Sequence, residues 1–508
     1  MNNLSLYLKP GTKIGSRSPT YTIEKTTQEL IYLRSEPNAK NANGTLRLIP
    51  AIVVIDLLKA ISEKKMSTDE INRKRDDNES EKLFQKLKLD HDPFILGYES
   101  TIKAICEYCI NNPLSHLVNT KSQNLPKPFL LLAGISGTGK TRFVREQARS
   151  SCPAGTINYA LIPVRPDWHE PSDLLGYVSR IGGTHYVATP FLQFMAAAWR
   201  DAVQPAAGYV LKDSSHITPF WACLDEMNLA PVEQYFADYL SVLETRQWDQ
   251  QGYTSEAIFA PSALLKSEAP QVISKLRADL GFTDAAWDGL WAYFLQHGMP
   301  LPPNLIVAGT VNMDETTHGF SRKVIDRAFS IDFGEFFPNE FNDYFEPKLQ
   351  AITLSFPLDS RIASPTELAE VQADSDGQKS IQFLKQINQK LAGSPFSLAF
   401  RALNELLLML KCFSPPDESA LYAVWDDFLM AKLLPRLEGD EDKLSNKEGN
   451  ILTQLQALLS AQFQGHTTRP DLFNTQNDVP PQIEFRSLKK LIWMSERLER
   501  DRFTCFWP

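Results

Sequence analysis

The sequence predicts an α/β protein: a parallel sheet with flanking helices, a mostly α-helical C-terminal part, and a small N-terminal α+β module. Three observations carry that expectation. Residues 129–143, "FLLLAGISGTGKTRF", set a continuous apolar run against a glycine-rich loop that opens a helix-like segment. From Pro93 to about Phe336 strand-like and helical patterns alternate, as they do where parallel strands are joined by crossover helices. From residue 337 onward long helical periodicities take over, for example "FRALNELLLMLKCF" and "VWDDFLMAKLLPRL".

Taken in order, residues 1–62 alternate early, as in "YTIEKTTQELIYL", and end in the apolar run "IPAIVVIDLLKAI", which together suggest the α+β module. Residues 63–92 are dominated by charge and read as a linker. The α/β core is expected over 93–336, with an insert near 165–199, and the helical lid and C-terminal helices over 337–508. Residues 247–303 carry apolar residues at helical spacing and read as extra helices rather than a loop.

Composition narrows the function classes. A chain of 508 residues is too long for one core, and its 43% hydrophobic and 22% charged residues are those of an ordinary soluble protein. No apolar stretch approaches eighteen residues, since "AIVVIDLLKAI" is broken by Asp56 and Lys59, so no membrane span is expected. The N-terminus lacks the pattern of a secretory signal, and six scattered cysteines fit reduced thiols, so a cytoplasmic location is expected. Cys106 and Cys109 form a C-x-x-C with no second pair, for which packing is the better account. The net charge of −9 argues against a wholly basic nucleic-acid protein and leaves room for a local basic patch.

Gly134, four residues, Gly139, Lys140 and Thr141 fit the Walker A pattern at every defined position. Glycines let successive backbone N–H groups turn inward on phosphate, and the helix that follows adds its positive end. Lys140 would neutralise β/γ-phosphate charge and Thr141 would ligate Mg²⁺. A second strand should then deliver an acid to magnesium and a base to water. "PFWACLDEMNLAPVEQYFADYLSVLETR" does so: Phe220 to Leu224 is apolar, with Asp225 placed to hold Mg²⁺ and Glu226 to polarise the attacking water. In "NLIVAGTVNMDETTHGFSRKVIDRAFSIDF" a third strand ends near Asn312, placed for water or γ-phosphate. Arg322 and Arg327 follow on what reads as a helix, and either could reach a neighbouring subunit's γ-phosphate or simply make a surface ion pair. Arg327 is the first choice.

This order of motifs resembles that of AAA+ ATPases, and several segments resemble the McrB family within the helix-2-insert clade, related to MoxR. They are "DLLGY" and "TPFL" around the insert, "LDEMNLAPVEQYFADYLSVLE", "LLPRLEG" and "SLKKLIWMSERLERDRFTCFW". The resemblance covers roughly residues 93–508. It implies that Gly134, Gly137, Gly139, Lys140 and Thr141 bind nucleotide, that Asp225 and Glu226 form Walker B, and that Asn312 is sensor I. Arg401 resembles a lid-borne sensor II arginine, with a capping or surface charge as the alternative. It further implies a hexameric ring hydrolysing ATP or GTP, with DNA and a separate McrC-like nuclease as partners in antiphage restriction. Where restriction members read M-N-T-A-D-R-S, this chain has Val311 to Thr317 without the arginine and serine, so guanine preference does not simply carry over.

Other residues leave choices open. The insert hairpin carries Arg180, His185 and Tyr186 at its expected tip, facing a pore or packing on the hairpin itself. Trp168 and Trp199 read as core. Lys13, Arg17, Lys25, Arg34 and Arg47, with Tyr21, Tyr32 and Phe94, could give the N-terminal module a basic face, or only a solvated one. No nuclease cluster is evident. A MoxR-like chaperone remodelling a protein partner, and a nucleotide-gated scaffold or sensor, are the other function classes compatible with the sequence.

Overall fold

The computed structural model describes residues 122–507, apart from 153–155, 250–251, 265–269, 314–318, 339–340, 344–347 and 477–478, together with the backbone of four strands nearer the N-terminus. Two compact units emerge, residues 1–121 with 152–156, and residues 122–151 with 157–508. In the first, β1 (Lys13–Ile14), β2 (Tyr21–Thr26), β3 (Leu30–Ser35) and β4 (Leu46–Pro50) form an antiparallel meander in sequence order. A bulge interrupts the β2–β3 register between Ile23 and Lys25. The expected helix after β4, the linker, Phe94 and the Cys106–Cys109 pair lie outside the described residues.

The second unit is an α/β domain with a helical C-terminal region. Its strands β5 (Phe129–Gly134), β6 (Tyr159–Pro163), β7 (Phe220–Asp225), β8 (Leu305–Asn312) and β9 (Phe329–Asp332) lie in the order β9-β5-β8-β7-β6, all parallel. Continuous apolar runs form the central strands because helices cover both faces of such a sheet, leaving no polar side. β5 is fully buried, and so are β7 and β8 up to their last residue. All three runs therefore end in a polar residue or loop at one edge.

Helices α1 (Lys140–Ser150) and α2 (Pro190–Ala202) connect these strands, and α3 (Ala237–Leu243) follows β7. Thr189 caps α2 through its hydroxyl, with Pro190 in the first turn, where its missing N–H costs nothing. Between β6 and α2 lies the expected insert, with the hairpin Gly176–Ser179 and His185–Ala188. Residues 247–303 carry the expected helices, Pro270–Asp279 and Asp288–His297, plus two short antiparallel ribbons. This subdomain rests on α2: Trp199 is fully buried against Tyr209, Tyr253 and Phe294, and its Nε1 donates to the Pro300 carbonyl at 2.8 Å.

α4 (Arg322–Ile325) leads into β9 and is shorter than expected. Arg327 is thus in the turn after it, because the chain must straighten before Phe329. The C-terminal region contains α5 (Gln378–Leu391), α6 (Phe400–Phe413), α7 (Glu418–Phe428), α8 (Ile451–Gln462) and α9 (Arg486–Asp501). α7 continues through a buried π-helical segment, Leu429–Leu433. Buried charges tie this region to the sheet. The Lys490 ammonium meets Asp332 at 2.6 Å, and Arg486 donates to the Glu335 carbonyl at 3.1 Å and stacks over Phe336. Among the described residues no helix is long and apolar enough to cross a membrane.

Candidate nucleotide site

The ends of β5, β7 and β8 converge because parallel register aligns them: Asn312 pairs with Gly134, and Leu224 with Gly309. Between β5 and α1 the chain turns through Gly137 at φ +80° and Gly139 at φ +88°, left-handed conformations that a side chain would strain. Gly139 is also the residue from which α1 starts, so the loop hands its amides to a helix N-terminus. The Lys140 ammonium, almost fully buried, donates to the carbonyls of Gly134 at 3.1 Å and Ile135 at 2.7 Å. In that pose Lys140 holds the loop closed on itself.

Thr141 Oγ1 donates to Asp225 Oδ1 at 2.7 Å. Thr310 Oγ1 donates to the same oxygen at 2.7 Å and accepts from the Glu226 N–H at 3.0 Å. Hydroxyl and carboxylate oxygens so placed are hard donors, the set that suits Mg²⁺ bound with phosphates and water. Thr141 and Asp225 would hold it. Among the described residues no group of three or more His, Cys, Asp or Glu side chains is arranged for a metal.

Glu226 is exposed and adopts φ +54°, ψ 50°, a conformation rare outside glycine and asparagine. Its neighbours fix it there. Met227 is fully buried and packs so closely on Gly309 that an added Cβ would lie 2.2 Å from its sulfur. Tyr235 Oη donates to the Met227 carbonyl at 2.9 Å, and Asn228 Nδ2 donates to the Asn312 carbonyl at 3.3 Å. Asn312 itself is half-buried beside the loop. Burial, with Asp225 nearby, pushes the Cys223 thiol up to about 12, which leaves it unreactive.

The arginines lie elsewhere. Arg327 Nε donates to the Leu240 carbonyl at 3.0 Å and Nη1 to the Lys323 carbonyl at 3.0 Å, with Glu244 at 3.8 Å. Arg401, near the start of α6, meets the same Glu244 at 3.0 Å. Both line a cavity with Pro126, Lys127, Arg246 and Glu405, at the beginning of β5. Six residues of strand separate that cavity from the glycine loop, about 20 Å. Arg401 is therefore grouped with Arg327, not with Lys140. Arg322 donates to the Pro395 carbonyl at 2.8 Å and lies over Phe396. Burial pulls the Lys127 ammonium down to about 7 against the opposing pull of Glu244.

In the insert, Tyr186 does not face outward. It is 3% exposed, packs against Phe259, and donates its hydroxyl to the Leu175 carbonyl at 3.1 Å. Gly176 makes room for it, since an added Cβ would meet the Tyr186 ring at 2.9 Å. Arg180, Ile181 and Tyr177 are exposed instead. Thr310 escaped the sequence reading, although it is the one hydroxyl in the apolar run "LIVAGTVN".

A protein-family model described as a domain of unknown function (DUF8727) matches residues 358–503, the helical region rather than the sheet. No curated protein matches. Among solved structures, the crystal structure of a candidate ATPase from Cytophaga hutchinsonii is similar over 61% of this chain and 74% of that one, at 13% identity and a TM-score of 0.26. A superposition that loose carries no argument about function, which rests on the geometry of the site.

Proposed function

We propose that this chain is a nucleoside triphosphatase of the AAA+ class, resembling McrB motors, that hydrolyses ATP or GTP with Mg²⁺. The observation that carries the reading is the linked set Thr141–Asp225–Thr310–Glu226, in which the phosphate-loop threonine and the strand-end acids share one hydrogen-bonded chain. Lys140 would leave its loop carbonyls for the β/γ-phosphates. Asp225 would order the metal's water shell, and Glu226, exposed at the strand end, would take a proton from the attacking water while Asn312 holds that water in place. Arg327 and Arg401 lie about 20 Å from their own loop, which supports their acting on a neighbouring copy's γ-phosphate. A ring, hexameric by resemblance, follows from that division of labour. Its work would be DNA translocation for a separate McrC-like nuclease subunit in cytoplasmic antiphage defence.

A second reading, a MoxR-like chaperone, draws support from the insert hairpin, where exposed Ile181 and Tyr177 offer a polypeptide an apolar grip. A nucleotide-gated scaffold fits less well, because a pure switch has little use for a strained catalytic Glu226. Steady-state hydrolysis of ATP and GTP, with and without duplex DNA, tests these readings, with Glu226→Gln as control. Turnover abolished by the substitution and stimulated by DNA is expected. Turnover indifferent to Glu226→Gln would remove the active-site assignment, and stimulation by an unfolded polypeptide instead of DNA would favour the chaperone.

A further inference from the structure

We infer that Lys432, in the helical region, is a positioning residue for hydrolysis: with Lys127 and Glu405 it locks the turn at residues 325–328 and so fixes where Arg327 is presented. This rests on the reading in which Arg327 serves a neighbouring copy's γ-phosphate.

α4 is a single short turn, so its last carbonyls find no donor further along a helix. The chain there is buried, with Val324 and Ala328 fully enclosed, so those carbonyls need partners from elsewhere. Lys432, itself buried in the π-helical segment, supplies them. Its Nζ donates to the carbonyls of Ala328 at 2.7 Å, Asp326 at 3.0 Å and Ile325 at 3.4 Å. Lys127, ahead of β5, donates to the same Asp326 carbonyl at 3.1 Å. Glu405 on α6 bridges the two ammoniums, pairing with Lys127 and, at 2.6 Å, with Lys432. Just past the π-helical segment, Arg436 meets the Asp326 carboxylate at 2.6 Å.

Such a cluster is a costly way to fill space. Two buried ammoniums share one carboxylate, and burial, then the nearby Lys127, push the Lys432 ammonium well below its ordinary range. Apolar side chains of similar length often pack as well or better in such a place. A methionine, however, has no donor, and the carbonyls of residues 326 and 328 flank Arg327 on both sides. The guanidinium itself is tied to carbonyls of α3 and α4, those of Leu240 and Lys323. The α/β domain therefore holds the side chain of Arg327 while the helical region holds its backbone, and a fixed direction needs both.

The test uses full-length protein and compares Lys432→Met, Arg327→Gln and the double variant. Lys432→Met should lower kcat roughly tenfold or more, the scale of a small misplacement, with KM and binding of a fluorescent nucleotide analogue within about twofold of wild type. The double variant should be no slower than Arg327→Gln alone, because a residue that acts through Arg327 then has nothing left to position. Losses that multiply in the double variant overturn the inference, as does a folded Lys432→Met protein at full rate or one whose KM rises as kcat falls. Mixing each single variant with Lys140→Ala chains, whose glycine loop is disabled, tests the underlying reading separately, and recovery of hydrolysis in both mixtures is expected. Recovery in neither, with the double-variant result intact, leaves Lys432 positioning Arg327 and removes the neighbouring-copy reading. Recovery for Arg327→Gln but not for Lys432→Met overturns the inference alone, and a full rate in Arg327→Gln overturns both. Arg436→Gln, at the less buried edge of the same turn, takes the place of Lys432→Met in every arm if that protein fails to fold, with a smaller loss expected in the same direction.

Discussion

Thr310 on β8 holds Asp225 on β7 through a 2.7 Å hydroxyl-to-carboxylate hydrogen bond, and the same hydroxyl accepts from the Glu226 N–H. One side chain thus sets the position of both acids. Replacing it by valine keeps the shape and the β-branch but removes a hydrogen bond to a charged group, worth about 1.5–3 kcal/mol. Thr310→Val should therefore lower kcat roughly ten- to a hundredfold with KM little changed, and Thr310→Ser should restore most of it. Equal rates for the valine and wild-type proteins would show that Thr310 is packing alone.

Glu226 sits in a left-handed conformation that costs a non-glycine residue about 1–2 kcal/mol. Its side chain is exposed and contributes little packing. Glu226→Gly should therefore abolish turnover while melting at or above the wild-type temperature, whereas Glu226→Gln should abolish turnover without a gain in stability. A large drop in melting temperature for the glycine variant would mean that the local backbone is not strained.

Much of this site could be read from the chain before any fold was known. β5, β7 and β8 are each a run of apolar residues ending in a chemical motif, and burial on both faces of a parallel sheet leaves such a run few alternatives. The placement of Arg401 was not legible, because it depends on how α6 packs against the start of β5, and no local pattern encodes that. The sequence leaves Tyr186 either facing a pore or packing on its hairpin, and only the space over Gly176 shows why it turns inward. Arg327 lies in a stretch that reads as a helix, yet the start of β9 two residues later ends the helix early. The pairing of Glu244 with both arginines joins residues more than eighty positions apart, beyond the reach of periodicity.

Met227 links the backbone beside Glu226 to β8 through a close approach that only glycine at 309 permits. Gly309→Ala would drive a Cβ into the Met227 sulfur and shift the residue next to Glu226. The methionine is flexible, so the fold should survive, with a loss of about 1–3 kcal/mol typical of overpacking. Hydrolysis should fall at least tenfold while nucleotide binding to the glycine loop, read by fluorescence of a labelled analogue, stays near wild type. Loss of binding and turnover together would place the effect on the loop instead.

The helical region depends on a buried charge network that apolar periodicity does not announce. Arg469 is fully buried, with Nε at 3.0 Å and Nη2 at 2.7 Å from Asp426 Oδ2, and it also pairs with Asp427. Burial opposes the Arg469 charge, but Asp427 and Asp426 outweigh it and raise its pKa further. Arg486 shares the same Asp427 oxygen at 3.0 Å and reaches Asp471 at 2.8 Å, while its backbone N–H donates to Asp426. Removing one partner leaves the others buried and uncompensated, which costs about 3–5 kcal/mol. Arg469→Met should therefore lower the urea midpoint sharply, or prevent soluble expression. Lys390→Met, which breaks the exposed pair with Glu448, should cost no more than about 1 kcal/mol. Because Arg486 also donates to the Glu335 carbonyl just past β9, an Arg469→Met protein that still folds should lose turnover as well. Equal urea midpoints for the two variants would show that the network contributes no more than a surface pair.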